Sequence, residues 1–166
     1  MVWAIAAGEM QIAFLLFLVA GLSDLIDGFL AKRFNMATEL GAYLDPLADK
    51  ALIVSIYVTL GIAGAIPRWL VILVVSRDIM IVSAVILSWL VNNPVTLKPL
   101  TISKLNTVAQ ILLALAVLAS LAFAFDAGWL IQGLTALVAI LTLASVGLYL
   151  REWVRHMNGG TRSGSP

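Results

Sequence analysis

Cysteine is absent from the chain, which excludes disulfides and thiolate chemistry and leaves the compartment open. Charge is scarce as well: Asp, Glu, Lys and Arg make up 11% of the residues, against about 25% in ordinary soluble domains. The formal net charge of +1 offers no basic surface for a nucleic acid, so no nucleic-acid partner is expected. No segment alternates apolar and polar residues as a membrane barrel strand does, and there is no internal repeat. No cleavable leader is expected either, because Glu9 interrupts the first apolar run and no basic segment precedes it.

What is abundant is apolar sequence, at 62% of the residues. Runs long enough to cross a bilayer, about 17–25 residues each, can be read at 9–33, 38–63, 67–91, 101–124 and 127–150. Backbone groups in hydrocarbon must bond internally, so the fold class is all-α, a polytopic transmembrane helix bundle with five visible spans. Trp3, Trp69, Trp89, Trp129 and Trp153 all fall near span ends, where amphipathic rings prefer the headgroup zone. Residues 1–157 read as one integral-membrane domain, and 158–166, ending in GGTRSGSP, as a disordered tail. Lys32, Arg33, Lys98, Lys104, Arg151, Arg155 and Arg162 fall on one side of the bundle, with Arg68 on the other. The excess of basic residues makes the first side cytoplasmic.

Against this background one stretch stands out. SDLIDGFLAKRFNMATELGAYLDPLADK, residues 23–50, carries four aspartates. Asp24 and Asp27 are spaced i, i+3 and Asp45 and Asp49 i, i+4, so each pair projects from one helix face. A short connection, with Asn35 or Thr38 as N-cap, makes the two helices antiparallel neighbours. The midpoints of 24 with 49 and of 27 with 45 are 36.5 and 36, which puts the four carboxylates at matching depth. At about 1.5 Å rise per residue they sit on the order of 10 Å inside the cytoplasmic end. Like charges this close drive one another toward protonation unless a cation intervenes. Carboxylate oxygens suit Mg²⁺, Mn²⁺ or Ca²⁺, and a pair of ions matches four ligands. Two plainer readings stand beside this one. Single aspartates near helix ends also serve as solvated groups or partners of Lys32, Arg33 and Lys50, and Gly28, Ala31 and Gly41 also serve close helix packing.

Written out, the stretch is Asp24-x2-Asp27-Gly28-x2-Ala31-Lys32-x8-Gly41-x3-Asp45-x3-Asp49. It resembles the signature of the CDP-alcohol phosphotransferases, DxxDGxxAR followed by GxxxDxxxD. Seven of the eight fixed positions are met, with Lys32 where the family usually has Arg. Lys binds phosphate as a point charge and lacks the bidentate fork of Arg. The resemblance implies a membrane enzyme that moves a phosphatidyl group from CDP-diacylglycerol to an alcohol and releases CMP. It implies that Asp24, Asp27, Asp45 and Asp49 hold two divalent ions, Mg²⁺ or Mn²⁺, against the diphosphate. It further implies that Asp24, Gly28, Ala31, Lys32 and Gly41 surround the nucleotide, that Asp49 is the base on the acceptor hydroxyl, and that the protein is a homodimer.

Residues 75–85 and 97–110, with GAYLDPLADK, are similar to the eukaryotic-type cardiolipin synthases within that family. This favours phosphatidylglycerol as acceptor; glycerol 3-phosphate, the acceptor of phosphatidylglycerophosphate synthases, is the alternative. Arg77 and Asp78 have two readings, an internal ion pair that locks helices or, for Arg77 with Lys104, a site for the acceptor's phosphate. Lys104 is equally an interfacial anchor, and Asn106 either orients the acceptor or bonds across helices. His156 reads as a surface residue. The resemblance covers residues 20–110 and implies six membrane helices; residues 1–8 read as the close of a preceding one. The site is expected to face the cytoplasm, in a bacterial inner membrane. A divalent-cation transporter, for which Asp78 is the one deeper acidic candidate, and an inactive family member serving as a partner subunit are the competing classes.

Overall fold

The computed structural model describes residues 1–34, 39–90 and 101–159; within these, the side chains of 24–25, 27–34, 39–49, 84–90, 101 and 152–159 fall outside the description. Every described element is an α-helix: α1 Val2–Ala6, α2 Met10–Phe34, α3 Glu39–Ile62, α4 Arg68–Leu90, α5 Thr101–Phe123 and α6 Gly128–Gly159. The five long helices coincide with the five apolar runs to within a residue or two at every boundary but the last. There α6 continues nine residues past the apolar run, because Arg151 and the polar residues after it are adequate helix formers and nothing breaks the helix before Gly159. It thus takes in residues 158 and 159, which composition alone assigns to the tail.

The sharp turns at one end of the bundle rest on left-handed residues. After α1 the chain reverses at Gly8, φ +80°, where the Glu9 amide donates to the Ala4 carbonyl and the Gly8 amide to that of Ile5. After α3 the same pair of bonds recurs at Gly64, φ +75°, from Ala65 to Leu60 and from Gly64 to Gly61. These are Schellman closures, which satisfy the last helical carbonyls where no water need reach them. At the start of α6 the Asp126 carboxylate accepts the Gly128 amide at 2.8 Å. Trp3, Trp69 and Trp129 are all exposed at this end, as interfacial rings should be.

Helix α5 is the centre of the packing, in contact with α2, α3 and α6, while α4 closes against α3 and α6, and α1 packs on both α2 and α3. Ala109, Leu113, Ala114, Val117 and Leu118 of α5 are buried together with Ile56 and Leu60 of α3, Val74 of α4 and Val138 of α6. Gln11 of α2 donates to the Ala122 carbonyl at 3.3 Å, and the Phe14 and Phe123 rings meet edge to face at 5.4 Å. Among the described residues, α2 and α3 are joined through α1 and α5. Their expected contact as a hairpin involves the connection and the side chains outside the description.

By length and composition Ile102–Phe123 and Gly128–Arg151 are able to cross a membrane, and Met10–Ser23 and Lys50–Ile62 are shorter apolar stretches. The broad lipid-facing surface includes Leu15, Val19, Ile72, Ile140 and Leu143. An apolar exterior around a core that holds buried polar residues is the pattern of a helical membrane protein.

Candidate active site

α2 is helical through 24 and 27 and α3 through 45 and 49, so the spacings i, i+3 and i, i+4 run along helices as the motif requires. Asp24, Asp27, Gly28, Ala31, Lys32, Gly41, Asp45 and Asp49 themselves lie outside the described side chains. Among the described residues there is no cluster of three or more His, Asp or Glu. The donor set of the motif is all carboxylate oxygen, which suits hard divalent cations and no soft ones.

The next residue of α3, Lys50, opens the described part of the site. Its ammonium lies 2.9 Å from Asp78 Oδ1 of α4. The same oxygen accepts from Arg77 Nη1. Arg77 is 2% exposed, so its charge must be met inside the protein, and its other two nitrogens also find acceptors. Nη2 donates to Ser103 Oγ of α5 at 2.6 Å and to Ser145 Oγ of α6 at 3.0 Å; Nε also reaches Ser145 at 3.3 Å. One guanidinium therefore ties four helices, α3 through the shared carboxylate and α4, α5 and α6 directly. Among the described residues two cations, Lys50 and Arg77, share one anion here.

From this layer a polar seam descends between α5 and α6. Asn106 and Thr142 are fully buried, and Thr142 Oγ1 donates to Asn106 Oδ1 at 3.1 Å. Ser103, Asn106 and Gln110 lie on one face of α5 by helical spacing, and Thr135, Thr142 and Ser145 on one face of α6. The pairs 103 with 145 and 106 with 142 each sum to 248, the signature of an antiparallel register. Gln110 is 2% exposed, its carbonyl takes the Tyr57 hydroxyl at 3.1 Å, and its Nε2, like Asn106 Nδ2, has no partner among the described residues.

Of the residues marked for the acceptor, Arg77 is enclosed and paired, which realises the ion-pair reading of the Arg77–Asp78 dipeptide. Asn106 bonds across helices. Lys104 is exposed and makes no described contact with either. The structure thus joins Arg77 to the helix turn that bears Lys104 and Asn106, without bringing the three side chains to one open pocket among the described residues. Sequence reasoning missed Ser103, Gln110, Thr142 and Ser145. Their signal was present as polar residues at helical spacing inside two apolar runs.

The described site is thus a buried arginine held at the level of an acidic helix motif. Comparison with known proteins gives the same motif its context. Residues 1–147 match the family model described as CDP-alcohol phosphatidyltransferase. The match takes in the N-terminal residues and most of α6, well beyond the span 20–110 over which residue motifs alone carried the resemblance. A human protein named cardiolipin synthase (CMP-forming) is 38% identical over 157 residues, 85% of this chain and 52% of that protein. A rice chloroplastic CDP-diacylglycerol–glycerol-3-phosphate 3-phosphatidyltransferase is 36% identical over 145 residues, 76% of this chain and 44% of the relative. The Bacillus subtilis protein of the corresponding name is 39% identical over 64 residues, 39% of this chain and 33% of the relative. The chain spans about half the length of the human relative. With a family match over most of its length and the acidic motif on α2 and α3, the chain belongs to the CDP-alcohol phosphatidyltransferase family.

Proposed function

We propose that this protein transfers a phosphatidyl group from CDP-diacylglycerol to the hydroxyl of phosphatidylglycerol, giving cardiolipin and CMP. The observation that carries the reading is the likeness to a cardiolipin synthase over 85% of the chain, joined to the aspartate motif on α2 and α3. In the reaction the acceptor oxygen forms a bond to the phosphatidyl phosphorus, the phosphoanhydride bond breaks, and CMP leaves with the electron pair. Asp49 accepts the proton from the acceptor hydroxyl, which needs only hydrogen-bond reach. Asp24, Asp27, Asp45 and Asp49 hold two divalent ions, Mg²⁺ or Mn²⁺, which when bound supply neutralisation of the negative charge that develops on the phosphates. Gly28, Ala31 and Gly41 leave room beside the carboxylates for the nucleotide, and Lys32 faces the diphosphate as a point charge.

Arg77 and Lys104 supply the positive field for the acceptor's phosphate, with Asn106 setting the α5–α6 register behind them. The site lies at the cytoplasmic end of an integral membrane protein of a bacterial inner membrane, acting as a homodimer. Purified protein in lipid with Mg²⁺ or Mn²⁺, CDP-diacylglycerol and phosphatidylglycerol should release CMP and form cardiolipin. Product with glycerol 3-phosphate alone would favour the second reading, a phosphatidylglycerophosphate synthase, which the rice and Bacillus relatives support.

A further inference from the structure

Arg77 is enclosed, and all three of its side-chain nitrogens are engaged, Nη1 by the Asp78 carboxylate and Nη2 and Nε by serine hydroxyls. A phosphate cannot touch this guanidinium without first displacing one of its partners. Those partners differ in chemistry and in access. Asp78 compensates the charge, whereas a hydroxyl accepts from the arginine and keeps a proton of its own to donate. Ser145 is fully buried. Ser103, whose Oγ accepts from Nη2 at 2.6 Å, is partly exposed.

The direction of that exposure follows from the helix. Ser103 shares the inner face of α5 with Asn106 and Gln110, which are closed off, while Lys104, Leu105, Val108 and Leu112 mark the outer face. Ser103 lies in the first turn of α5, so it opens at the end of the bundle rather than toward the surrounding lipid. It is also level with the acidic motif: Arg77 and Asp78 join it to Lys50, and Lys50 follows Asp49 directly in α3.

We infer that Ser103 is the group through which the charge of Arg77 reaches the acceptor: its hydroxyl accepts from the guanidinium and donates its own proton to an oxygen of the acceptor's phosphate. A hydroxyl polarised by a cation on one side is a stronger donor on the other. The buried charge thus acts on the anion at one remove, while Arg77 keeps the contacts that tie its helices. The inference rests on the reading that the acceptor carries a phosphate, which holds for phosphatidylglycerol and for glycerol 3-phosphate alike.

The test measures turnover of the full chain in phosphatidylcholine nanodiscs with each acceptor in turn. Beside it, phosphorus-NMR line broadening of glycerol 3-phosphate and of glycerophosphoglycerol, the headgroup of phosphatidylglycerol freed of its chains, reads binding without CDP-diacylglycerol. Loss of a hydrogen bond to a charged group corresponds to about tenfold or more. Ser103→Ala should raise KM for the acceptor by that factor, leave KM for CDP-diacylglycerol unchanged, and weaken the broadening. Ser103→Thr, which keeps the hydroxyl, should restore both. Ser145→Ala removes contacts of Arg77 but no donor to the substrate, so it should move the acceptor KM far less than Ser103→Ala does. An acceptor KM unchanged in Ser103→Ala overturns the inference, because Ser103 then does not touch the acceptor. So does an equal rise in Ser145→Ala, which would show that Ser103 only supports the arginine. Turnover with glycerol 3-phosphate alone, with the Ser103→Ala effect intact, overturns the acceptor assignment and leaves the role of Ser103 in place. If neither acceptor turns over, broadening that is the same with and without the Ser103 hydroxyl overturns the inference by itself, so the two failures are told apart.

Discussion

Asp78 Oδ1 on α4 lies 2.9 Å from the Lys50 ammonium of α3 and also receives the guanidinium of its own neighbour, Arg77. The two cations differ in what they lose without it. Arg77 is 2% exposed, and breaking a buried pair by removing one partner costs about 3–5 kcal/mol. The Lys50 side chain is 32% exposed, and its long stem lets the ammonium reach toward the headgroup zone without Asp78, so its pair is the weaker, near the value of partly exposed pairs, about 0–1 kcal/mol. Asp78→Asn is therefore expected to lower stability by several kcal/mol and Lys50→Met by about one or less, measured by reversible unfolding in mixed micelles. Equal losses would mean that Lys50, rather than Arg77, is the residue that Asp78 serves.

The serine contacts predict a graded effect. Hydrogen bonds to charged groups contribute about 1.5–3 kcal/mol, and Ser145 Oγ accepts from both Nε and Nη2 of Arg77. Ser145→Ala should destabilise by that amount in the same unfolding experiment, and Ser145→Thr should recover part of it. A neutral Ser145→Ala would show that α6 contributes nothing to holding the arginine.

The polar seam separates two amides of similar burial. Asn106 bonds Thr142, and interhelical bonds in membranes are worth about 0.6 kcal/mol on average and about 1.7 at most. Asn106→Leu should therefore cost a fraction of a kcal/mol to somewhat over one. Gln110 leaves Nε2 without a partner among the described residues, so Gln110→Leu should be neutral or stabilising. A large loss at Gln110 would show that its amide nitrogen is satisfied in the membrane.

Gly61 marks a close approach of α3 to α4. A Cβ there would stand 2.6 Å from Val71 Cγ2, and a β-branched side chain has little rotamer freedom with which to yield. An Ala in place of Gly usually favours a helix by about 1 kcal/mol, whereas overpacking costs about 1–3 kcal/mol. Gly61→Ala should destabilise, and Gly61→Ala with Val71→Ala should restore stability, as read by a double-mutant cycle.

How much of this was legible in the sequence differs from element to element. The long helices follow from apolar runs bounded by Gly64, Pro67 and Asp126, because a bilayer leaves the backbone no alternative. The acidic motif was legible because charge in hydrocarbon is costly enough to be noticed. The partner of Asp78 was not, since the choice between Arg77 alone and Arg77 with Lys50 depends on how α3 lies against α4. Nor was the α5–α6 seam: isolated Ser, Thr, Asn and Gln do not disturb an apolar average, and only the register that pairs 103 with 145 and 106 with 142 turns them into a structure. The first residues read as the close of a helix, and α1 is a short helix ended by a glycine closure, with Ala4 and Ile5 in the core.

The chemistry of the motif predicts the behaviour of single positions. Asp49→Asn should abolish turnover, while metal-dependent binding of CDP-diacylglycerol survives through Asp24, Asp27 and Asp45. Lys32→Arg should preserve or raise activity, since a guanidinium also binds phosphate. Unchanged turnover in the first variant, or a large loss in the second, would reassign those residues.

The central claim is that the aspartates of α2 and α3 work with divalent ions to pass a phosphatidyl group to a lipid acceptor. It is tested most directly by following radiolabelled CDP-diacylglycerol in proteoliposomes of the purified chain with phosphatidylglycerol, before and after chelation. Cardiolipin and CMP in equal amounts, lost on chelation and restored by Mg²⁺ or Mn²⁺, is the result predicted. Folded protein that yields no CMP with either phosphatidylglycerol or glycerol 3-phosphate would contradict it.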